Sequence, residues 1–318
     1  MKKDVIINVF SCSEQAPCNK WASEFFTDPP LIINVAGSGS ATWRAKVTQW
    51  AKTGDLFMAA VKETYPNLKD IEIGKRGLTT FSAGWNFADE FLKYDNEVNR
   101  LDAYILLDGC HTKILTNWIK FAKRAANKEA LLLMAHSSIV PSFISSTDSN
   151  TQILDGTLTP NNINAFDYSI NIPEYISKAT LEQPITISLA AAYQNGKLVL
   201  PKITKTWTTD PLLDVHVNGN VARLHYSGND RPDHVYIAWY VSKRLWKWLG
   251  SIWSIKVEEK PLIPVTPDVI APAPLPEPDI VVDSIPKTEK SALEQKNVFQ
   301  MIVDLIQSMF GKIRINNV

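Results

Sequence analysis

The fold class of this chain is decided by one stretch of its sequence, Gly77-Leu78-Thr79-Thr80-Phe81-Ser82-Ala83-Gly84-Trp85. A short apolar pattern with Ile71 and Ile73 precedes it, and a helical pattern begins after it at Phe87. This order predicts a strand, a tight turn that carries a serine, and then a helix. On such a turn the hydroxyl of Ser82 projects above the sheet, and the small residues Ala83 and Gly84 allow close packing against a neighbouring strand.

Ser82 has a second interpretation as an ordinary helix N-cap, a position where serine is common. The stretch matches the nucleophile elbow Gly-x-Ser-x-Gly only in part, because Thr80 occupies the position of the first glycine. The choice between a nucleophile and a cap therefore depends on the rest of the chain.

The remaining sequence alternates between apolar strands and amphipathic helices. The predicted strands cover 4–10, 31–35, 101–107, 130–135 and 221–226, and the predicted helices cover 45–65, 116–128 and 235–249. Alternation of this kind predicts an α/β fold with a mostly parallel sheet and right-handed crossovers. Ligands of such sheets bind at the carboxyl ends of the strands.

Composition divides the chain into a main domain and an appendage. Residues 1–256 are predicted to form the main domain, in which 142–215, rich in Ser, Thr, Asn and Pro, forms an insertion or lid region with one hairpin around 194–197. Residues 257–290 hold eight of the 19 prolines and no glycine, which predicts a stiff extended linker. Residues 291–318 begin with a capping-box pattern and predict an amphipathic helix. A lone helix needs a surface, so we expect it to dock on the main domain, a partner, its own copy or a membrane surface.

Charge and cysteine content exclude several classes of function. The chain has 33 basic and 33 acidic residues, which gives no electrostatic reason to expect nucleic acid as a partner. Cys12, Cys18 and Cys110 lack the spacing of a zinc site or a disulfide framework, and no cofactor is predicted. Met1–Phe10 predicts a first strand rather than a signal peptide, and no apolar run is long enough for a transmembrane helix. A cytoplasmic or virion-associated protein is therefore expected.

Three residues that follow predicted strands have the types needed for nucleophilic catalysis. They occur in the order Ser82, Asp108, His234, which is the chain order of the Ser-Asp-His triad in α/β-hydrolases. A serine hydroxyl attacks a carbonyl only when a base removes its proton, and imidazole is the base best suited to neutral pH. A carboxylate then fixes the imidazole tautomer and stabilises the imidazolium.

Two backbone N–H groups are candidates for the oxyanion hole. One belongs to Ala83, directly after the predicted nucleophile, and the other to the Gly- and Ser-rich loop that begins at Gly37, most of all to Ser38. Gly37 would also line the substrate site. An ordinary flexible turn would have the same composition, and the loop lacks the lysine of a phosphate-binding loop.

The identity of the triad acid and the roles of the other histidines stay open at this point. Asp108 precedes a glycine and is also a typical turn former; the alternative acids are Asp167, Asp214 and Asp233, the last of which would direct its side chain away from His234. His111 and His136 follow or end neighbouring strands and could line the substrate pocket or, with Asp108, hold a metal; the triad is preferred and no metal is predicted. The two remaining histidines are expected to be ordinary strand residues: His216 and His225.

Several local strings resemble those of α/β-hydrolase-fold serine hydrolases, in particular a group of bacterial and phage-type hydrolase-like proteins. The resemblance covers residues 30–250 and rests on Thr80–Gly84, Leu106–His111, Ala135–Pro141, Ser145–Thr147 and Asp233–His234. It implies a doubly wound sheet and a triad of Ser82, Asp108 and His234, but no substrate. Two features depart from the pattern: Thr80 replaces the elbow glycine, and the acid follows the strand next to the nucleophile strand rather than one strand later.

Two functions follow as predictions. The first is a serine hydrolase that cleaves an ester or an amide through an acyl-enzyme, and the 10 tryptophans and the tail favour envelope material, as for a phage lysin or carbohydrate esterase. The alternative is a non-catalytic assembly protein, such as a virion component, that binds its partner through the C-terminal helix.

Overall fold

A computed structural model gives the three-dimensional structure of the chain. It describes residues 1–10, 18–35, 40–109, 116–138, 172–177, 180–194 and 196–254. Several predictions therefore lie outside the described residues, namely those for Gly37, Ser38, His111, the linker 257–290 and the C-terminal helix 291–318.

Strands and helices alternate through most of the described chain. The strands are β1 (Lys2–Phe10), β2 (Leu31–Val35), β3 (Glu72–Phe81), β4 (Ala103–Leu107), β5 (Leu131–Ser137), β6 (Ile185–Leu189), β7 (Ala192–Gln194), β8 (Lys197–Leu200), β9 (Ile203–Trp207), β10 (Leu212–Asn218) and β11 (Val221–Tyr226). The helices are α1 (Cys18–Phe25), α2 (Ser40–Ala51), α3 (Leu56–Thr64), α4 (Trp85–Phe91), α5 (Asp95–Arg100), α6 (Thr116–Ala126), α7 (Glu174–Ser177), α8 (Arg231–Tyr236) and α9 (Ser242–Trp253).

Within the described ranges, seven strands form the main sheet, in the order β10-β11-β5-β4-β3-β1-β2. Every neighbouring pair is parallel except β10 with β11, which is antiparallel. The predicted α/β class and the mostly parallel sheet are thus confirmed. All the parallel strands end at one edge, so residues that directly follow β3, β4 and β5 are brought together there.

Helices cover both faces of this sheet. One apolar cluster packs residues of α2, α3, α4 and α6 on one face, and a second packs residues of α1, α8 and α9 on the other. Strands β4 and β5 are buried along their whole length, as expected for parallel strands enclosed between two layers of helices. None of the helices in the described ranges is long and apolar enough to cross a membrane.

Two predicted helices differ from those in the structure. The predicted helix 45–65 is interrupted, because Gly54 has a φ of 81° and Asp55 caps the new helix α3 by accepting a hydrogen bond from the N–H of Met58. The predicted helix 235–249 begins earlier, at Arg231, where Asp230 forms a capping box. It then continues through a π-helical turn, Ile237–Val241, into α9.

The described part of the region 142–215 contains strands outside the main sheet and one strand that belongs to it. The predicted hairpin is present as β7 paired with β8, but β6 pairs with β9 instead of continuing into β7. Strand β10 begins at Leu212 and belongs to the main sheet, so the last residues of the predicted insertion are part of that sheet. Strands β6 and β9 contact α8, the helix that carries His234.

Candidate active site

Ser82 lies on a strained turn between β3 and α4. It opens a short 3₁₀ turn, Ser82–Gly84, and its φ is 52°. This left-handed conformation costs a residue with a side chain roughly 1–2 kcal/mol. The interpretation of Ser82 as a helix N-cap is wrong: Gly84 occupies that position for α4, and Ser82 Oγ has no hydrogen-bond partner in the described chain. The side chain is buried, with 1 % of the residue exposed.

The turn is held tightly against the sheet. A Cβ atom on Gly84 would lie 2.6 Å from the carbonyl oxygen of Val9 in β1, so only glycine fits there. Asn86 Nδ2 donates a hydrogen bond to the carbonyl oxygen of Ala83 at 2.8 Å. Thr80, at the position of the missing elbow glycine, bonds through its hydroxyl to Tyr104 of β4 at 2.6 Å. The departure from the motif therefore has a structural role.

Asp108 lies beside this turn, directly after β4. Leu107 pairs with Phe81 in the parallel ladder, so Asp108 and Ser82 leave neighbouring strands at the same level. The Asp108 carboxylate is fully buried; it accepts hydrogen bonds from the backbone N–H of Ser137 at 3.1 Å and from Ser137 Oγ at 2.8 Å. Its φ is 41°, so both Ser82 and Asp108 hold the left-handed conformation.

His234 completes the arrangement from helix α8. Its Nδ1 lies 2.6 Å from Asp108 Oδ2, and its ring packs on the Phe81 ring with centroids 4.5 Å apart. Its Nε2 is buried and has no hydrogen-bond partner among the described residues. With Nδ1–H held by the carboxylate, Nε2 is the nitrogen that can accept a proton.

Two of the alternative acids have other partners. Asp233 Oδ2 accepts a hydrogen bond from Lys205 Nζ at 2.7 Å and from the Asp230 backbone N–H at 3.1 Å, so it braces the start of α8, as its adjacency to His234 predicts. Asp214 Oδ2 lies 3.1 Å from Nδ1 of His225. Asp167 lies outside the described residues. Among the described candidates, Asp108 is the carboxylate that binds His234.

Burial and hydrogen bonding act in opposite directions on the Asp108 carboxyl. Burial raises its pKa, while the charge and the hydrogen bond of His234 and the two hydrogen bonds from Ser137 lower it. The lowering effects prevail, and the pKa of Asp108 lies below its ordinary value of 3.8. Asp108 is therefore ionised at neutral pH, which keeps a proton on His234 Nδ1.

The lowered pKa of Asp108 predicts a pH-dependent contribution to stability. A carboxyl with a depressed pKa in the folded state stabilises the fold above its unfolded pKa, here about 3.8, and that contribution is lost as the pH falls through the lower folded value. We expect the difference in free energy of unfolding between wild type and Asp108→Asn to be present at pH 5 and to shrink as the pH falls below 3.8. Denaturant unfolding between pH 3 and pH 7 measures it. A difference that did not change with pH would contradict the lowered pKa.

Of the other predicted site residues, the structure describes Ala83 and His136. Ala83 directly follows Ser82 in the elbow turn, and His136 lies near the end of β5 with its ring stacked on that of His225 at 4.6 Å. His136 is buried, and alternation along β5 places it on the opposite face of the sheet from Ser137. Gly37, Ser38 and His111 lie outside the described residues; the strand before Gly37, β2, is separated from β3 by β1.

The described residues contain no group of three His, Cys, Asp or Glu side chains arranged to hold a metal ion. Three residues that no sequence motif identifies contact these side chains or the start of α8: Ser137 binds Asp108, Phe81 packs on the ring of His234, and Lys205 binds Asp233. Ser137 and Phe81 lie inside the strings that carry the resemblance, but no spacing rule distinguishes them there. The bond between Lys205 and Asp233 depends on the packing of β9 against α8, which no sequence pattern predicts.

An imidazole held by a buried carboxylate and a serine on a strained turn thus come from neighbouring elements at one edge of the sheet. Ser82 Oγ and His234 Nε2 are not hydrogen-bonded to each other, because neither has a partner among the described residues. Such a group can remove a proton from a hydroxyl and return it to a leaving group. Comparison of the chain with models of protein families, with curated proteins and with solved structures gave no match.

Proposed function

We propose that this chain is a serine hydrolase that cleaves an ester or an amide through an acyl-enzyme on Ser82. The observation that carries the proposal is the 2.6 Å hydrogen bond between His234 Nδ1 and the buried carboxylate of Asp108. That bond is formed at the end of β4, next to the strand that delivers Ser82. A histidine fixed by a buried carboxylate beside a serine with a φ of 52° has the composition of a nucleophilic triad.

The proposed reaction has two halves, acylation and deacylation of Ser82, and the same side chains act in both. Ser82 Oγ bonds to the carbonyl carbon of the substrate while its proton moves to His234 Nε2, and the Ala83 N–H stabilises the oxyanion. The bond to the leaving group then breaks as His234 returns the proton to it. Water repeats the sequence on the acyl group, which leaves as a carboxylic acid. Asp108 stays ionised and holds the imidazolium that forms in each half.

The strand order supports the proposal that the fold is of the α/β-hydrolase type. The nucleophile strand β3 lies inside a parallel sheet, and the histidine follows the last parallel strand, β11, in the chain order Ser, Asp, His. The acid follows the adjacent strand β4, which is the departure from the pattern already seen in the sequence. Because Ser82 is 1 % exposed, a substrate reaches it only if part of the chain is displaced. Envelope material as the substrate stays a prediction, and so does the alternative of a non-catalytic assembly protein.

A fluorophosphonate probe tests the proposal at the level of one residue. The probe phosphonylates activated serines, and peptide mass spectrometry identifies the modified residue. We expect an adduct on Ser82 in the native wild type, and none on Ser82 in heat-denatured protein or in His234→Gln, because the hydroxyl reacts only when a base removes its proton. If native protein carried no adduct on Ser82, or if His234→Gln were modified there as fast as wild type, the proposal would be wrong.

A further inference from the structure

A second serine, histidine and aspartate are hydrogen-bonded in series elsewhere in the sheet. Ser138 Oγ is hydrogen-bonded to Nε2 of His225, and His225 Nδ1 lies 3.1 Å from Asp214 Oδ2. The three residues come from three neighbouring strands: Ser138 directly follows β5, His225 is in β11, and Asp214 is in β10. Both links of the chain from serine through imidazole to carboxylate are therefore formed.

This group is separate from the one at Ser82. His225 pairs with His136 in the parallel ladder, and the two imidazole rings stack at 4.6 Å with an interplanar angle of 10°. Successive residues of a strand alternate between faces, so His136 and its stacking partner lie on the opposite face of the sheet from Ser137, the residue that binds Asp108. The two groups share no residue.

The second group is also more accessible than the first. The side chains of His225 and Asp214 are 20 % and 51 % exposed, and Ser138 is half-buried, whereas Ser82 is almost fully buried. The two oxygens of Asp214 have different partners, because Oδ1 lies 3.5 Å from Arg223 and leaves Oδ2 to His225. The stacked ring of His136 restricts rotation of the His225 ring, so Nε2 stays directed at Ser138.

From this geometry we infer that Ser138 is a second nucleophilic serine, activated by His225 and Asp214, that accepts acyl groups from small activated esters. In this step the Ser138 Oγ–H proton moves to His225 Nε2 as Oγ bonds to the ester carbonyl carbon. The bond to the leaving alkoxide breaks and the alcohol departs with that proton. Water then hydrolyses the acyl-serine, which releases a carboxylic acid and restores the hydroxyl. The inference does not depend on the proposed role of Ser82.

One contact in the structure competes with activation. Ser138 Oγ also lies 3.3 Å from the carbonyl oxygen of Tyr226. A hydroxyl that donates to this carbonyl must accept from His225, and its oxygen is then no better a nucleophile than an ordinary serine. A hydroxyl that donates to His225 Nε2 is activated. Reactivity of Ser138 that depends on His225 distinguishes the two arrangements.

The experiment maps fluorophosphonate adducts in full-length Ser82→Ala, so that the first site cannot contribute. We expect an adduct on Ser138 that forms about 100-fold more slowly in the double variant with His225→Gln, and more slowly in that with Asp214→Asn. Thermal unfolding of each variant is measured alongside, and Ser82→Ala with Ser138→Ala, which keeps both His225 and Asp214, is the matched control that must carry no adduct at position 138.

The possible results test the inference about Ser138 independently of the proposed function of Ser82. An adduct on Ser138 that requires His225, in variants with unchanged melting temperature, supports it whether or not Ser82 reacts in wild type. Modification of Ser82 alone in wild type, with Ser138 unmodified in both proteins, overturns the inference and leaves the proposed function standing. An adduct on Ser138 that forms at the same rate without His225 also overturns it.

Discussion

Replacing Ser82 with alanine is expected to reduce turnover of a small ester at the first site by about 10⁴-fold or more, without loss of the fold. The hydroxyl makes no hydrogen bond to any described residue, so its removal leaves no partner unsatisfied. Alanine also keeps the cost of the left-handed conformation. The measurement is kcat on an activated ester together with the free energy of unfolding. Turnover that persisted at the wild-type level, with no acylation of Ser138, would show that Ser82 is not the nucleophile.

Replacing Ser82 with glycine tests the backbone strain at this position separately from the loss of the hydroxyl. Ser82 has a φ of 52°, which glycine adopts without steric cost, so Ser82→Gly should be more stable than Ser82→Ala by about 1 kcal/mol and equally inactive. Asp70 has the same φ and lies just before β3, at the opposite end of that strand from Ser82. Asp70→Gly is thus a matched control that should gain stability and keep full turnover. If Ser82→Gly and Ser82→Ala had the same free energy of unfolding, the backbone at position 82 would not be strained.

Individual strands and helices could be predicted where a local apolar pattern specifies them. Parallel strands buried on both faces are continuous apolar runs, so β4 and β5 are recognisable. The edge strand β2 and strand β11 have the predicted bounds. The break between α2 and α3 was missed, because the helical apolar pattern continues through Gly54 and hides the turn. Which strands pair in the region before β10 depends on long-range packing, which no local pattern records.

The contact between Asp108 and His234 could be predicted from residue type and chain order. Ser82, Asp108 and His234 follow or leave strand ends, and the sheet places those ends at one edge. The support around them was not predictable, because it depends on distant contacts. Ser137 binds Asp108 from the neighbouring strand β5, and Lys205 of β9 binds Asp233 at the start of α8. His225 was expected to be an ordinary strand residue, and its hydrogen bonds to Ser138 and Asp214 required three strands to be aligned.

Replacing Asp108 with asparagine is expected to reduce kcat by about 10⁴-fold with a smaller effect on stability. An asparagine can bond to the same partners: its oxygen accepts from the Ser137 N–H, and its amide group donates to Ser137 Oγ and to His234 Nδ1, so these last two bonds reverse direction. That donation requires Nδ1 to be unprotonated, so the proton moves to Nε2. A histidine with Nε2 protonated cannot remove the proton of Ser82, and the base is lost although every side chain stays in place.

The matched control for this prediction is Asp102→Asn, at the opposite end of the same strand. Asp102 precedes β4 and accepts a hydrogen bond from the backbone N–H of Arg76 at 2.6 Å, which an asparagine oxygen can also accept. Burial raises the pKa of Asp102, whereas the charge and hydrogen bond of His234 and the hydrogen bonds from Ser137 lower that of Asp108. Asp102→Asn should keep wild-type kcat. If both variants lost activity equally, the effect would lie in the stability of β4, and if neither did, Asp108 would not be the residue that fixes the tautomer of His234.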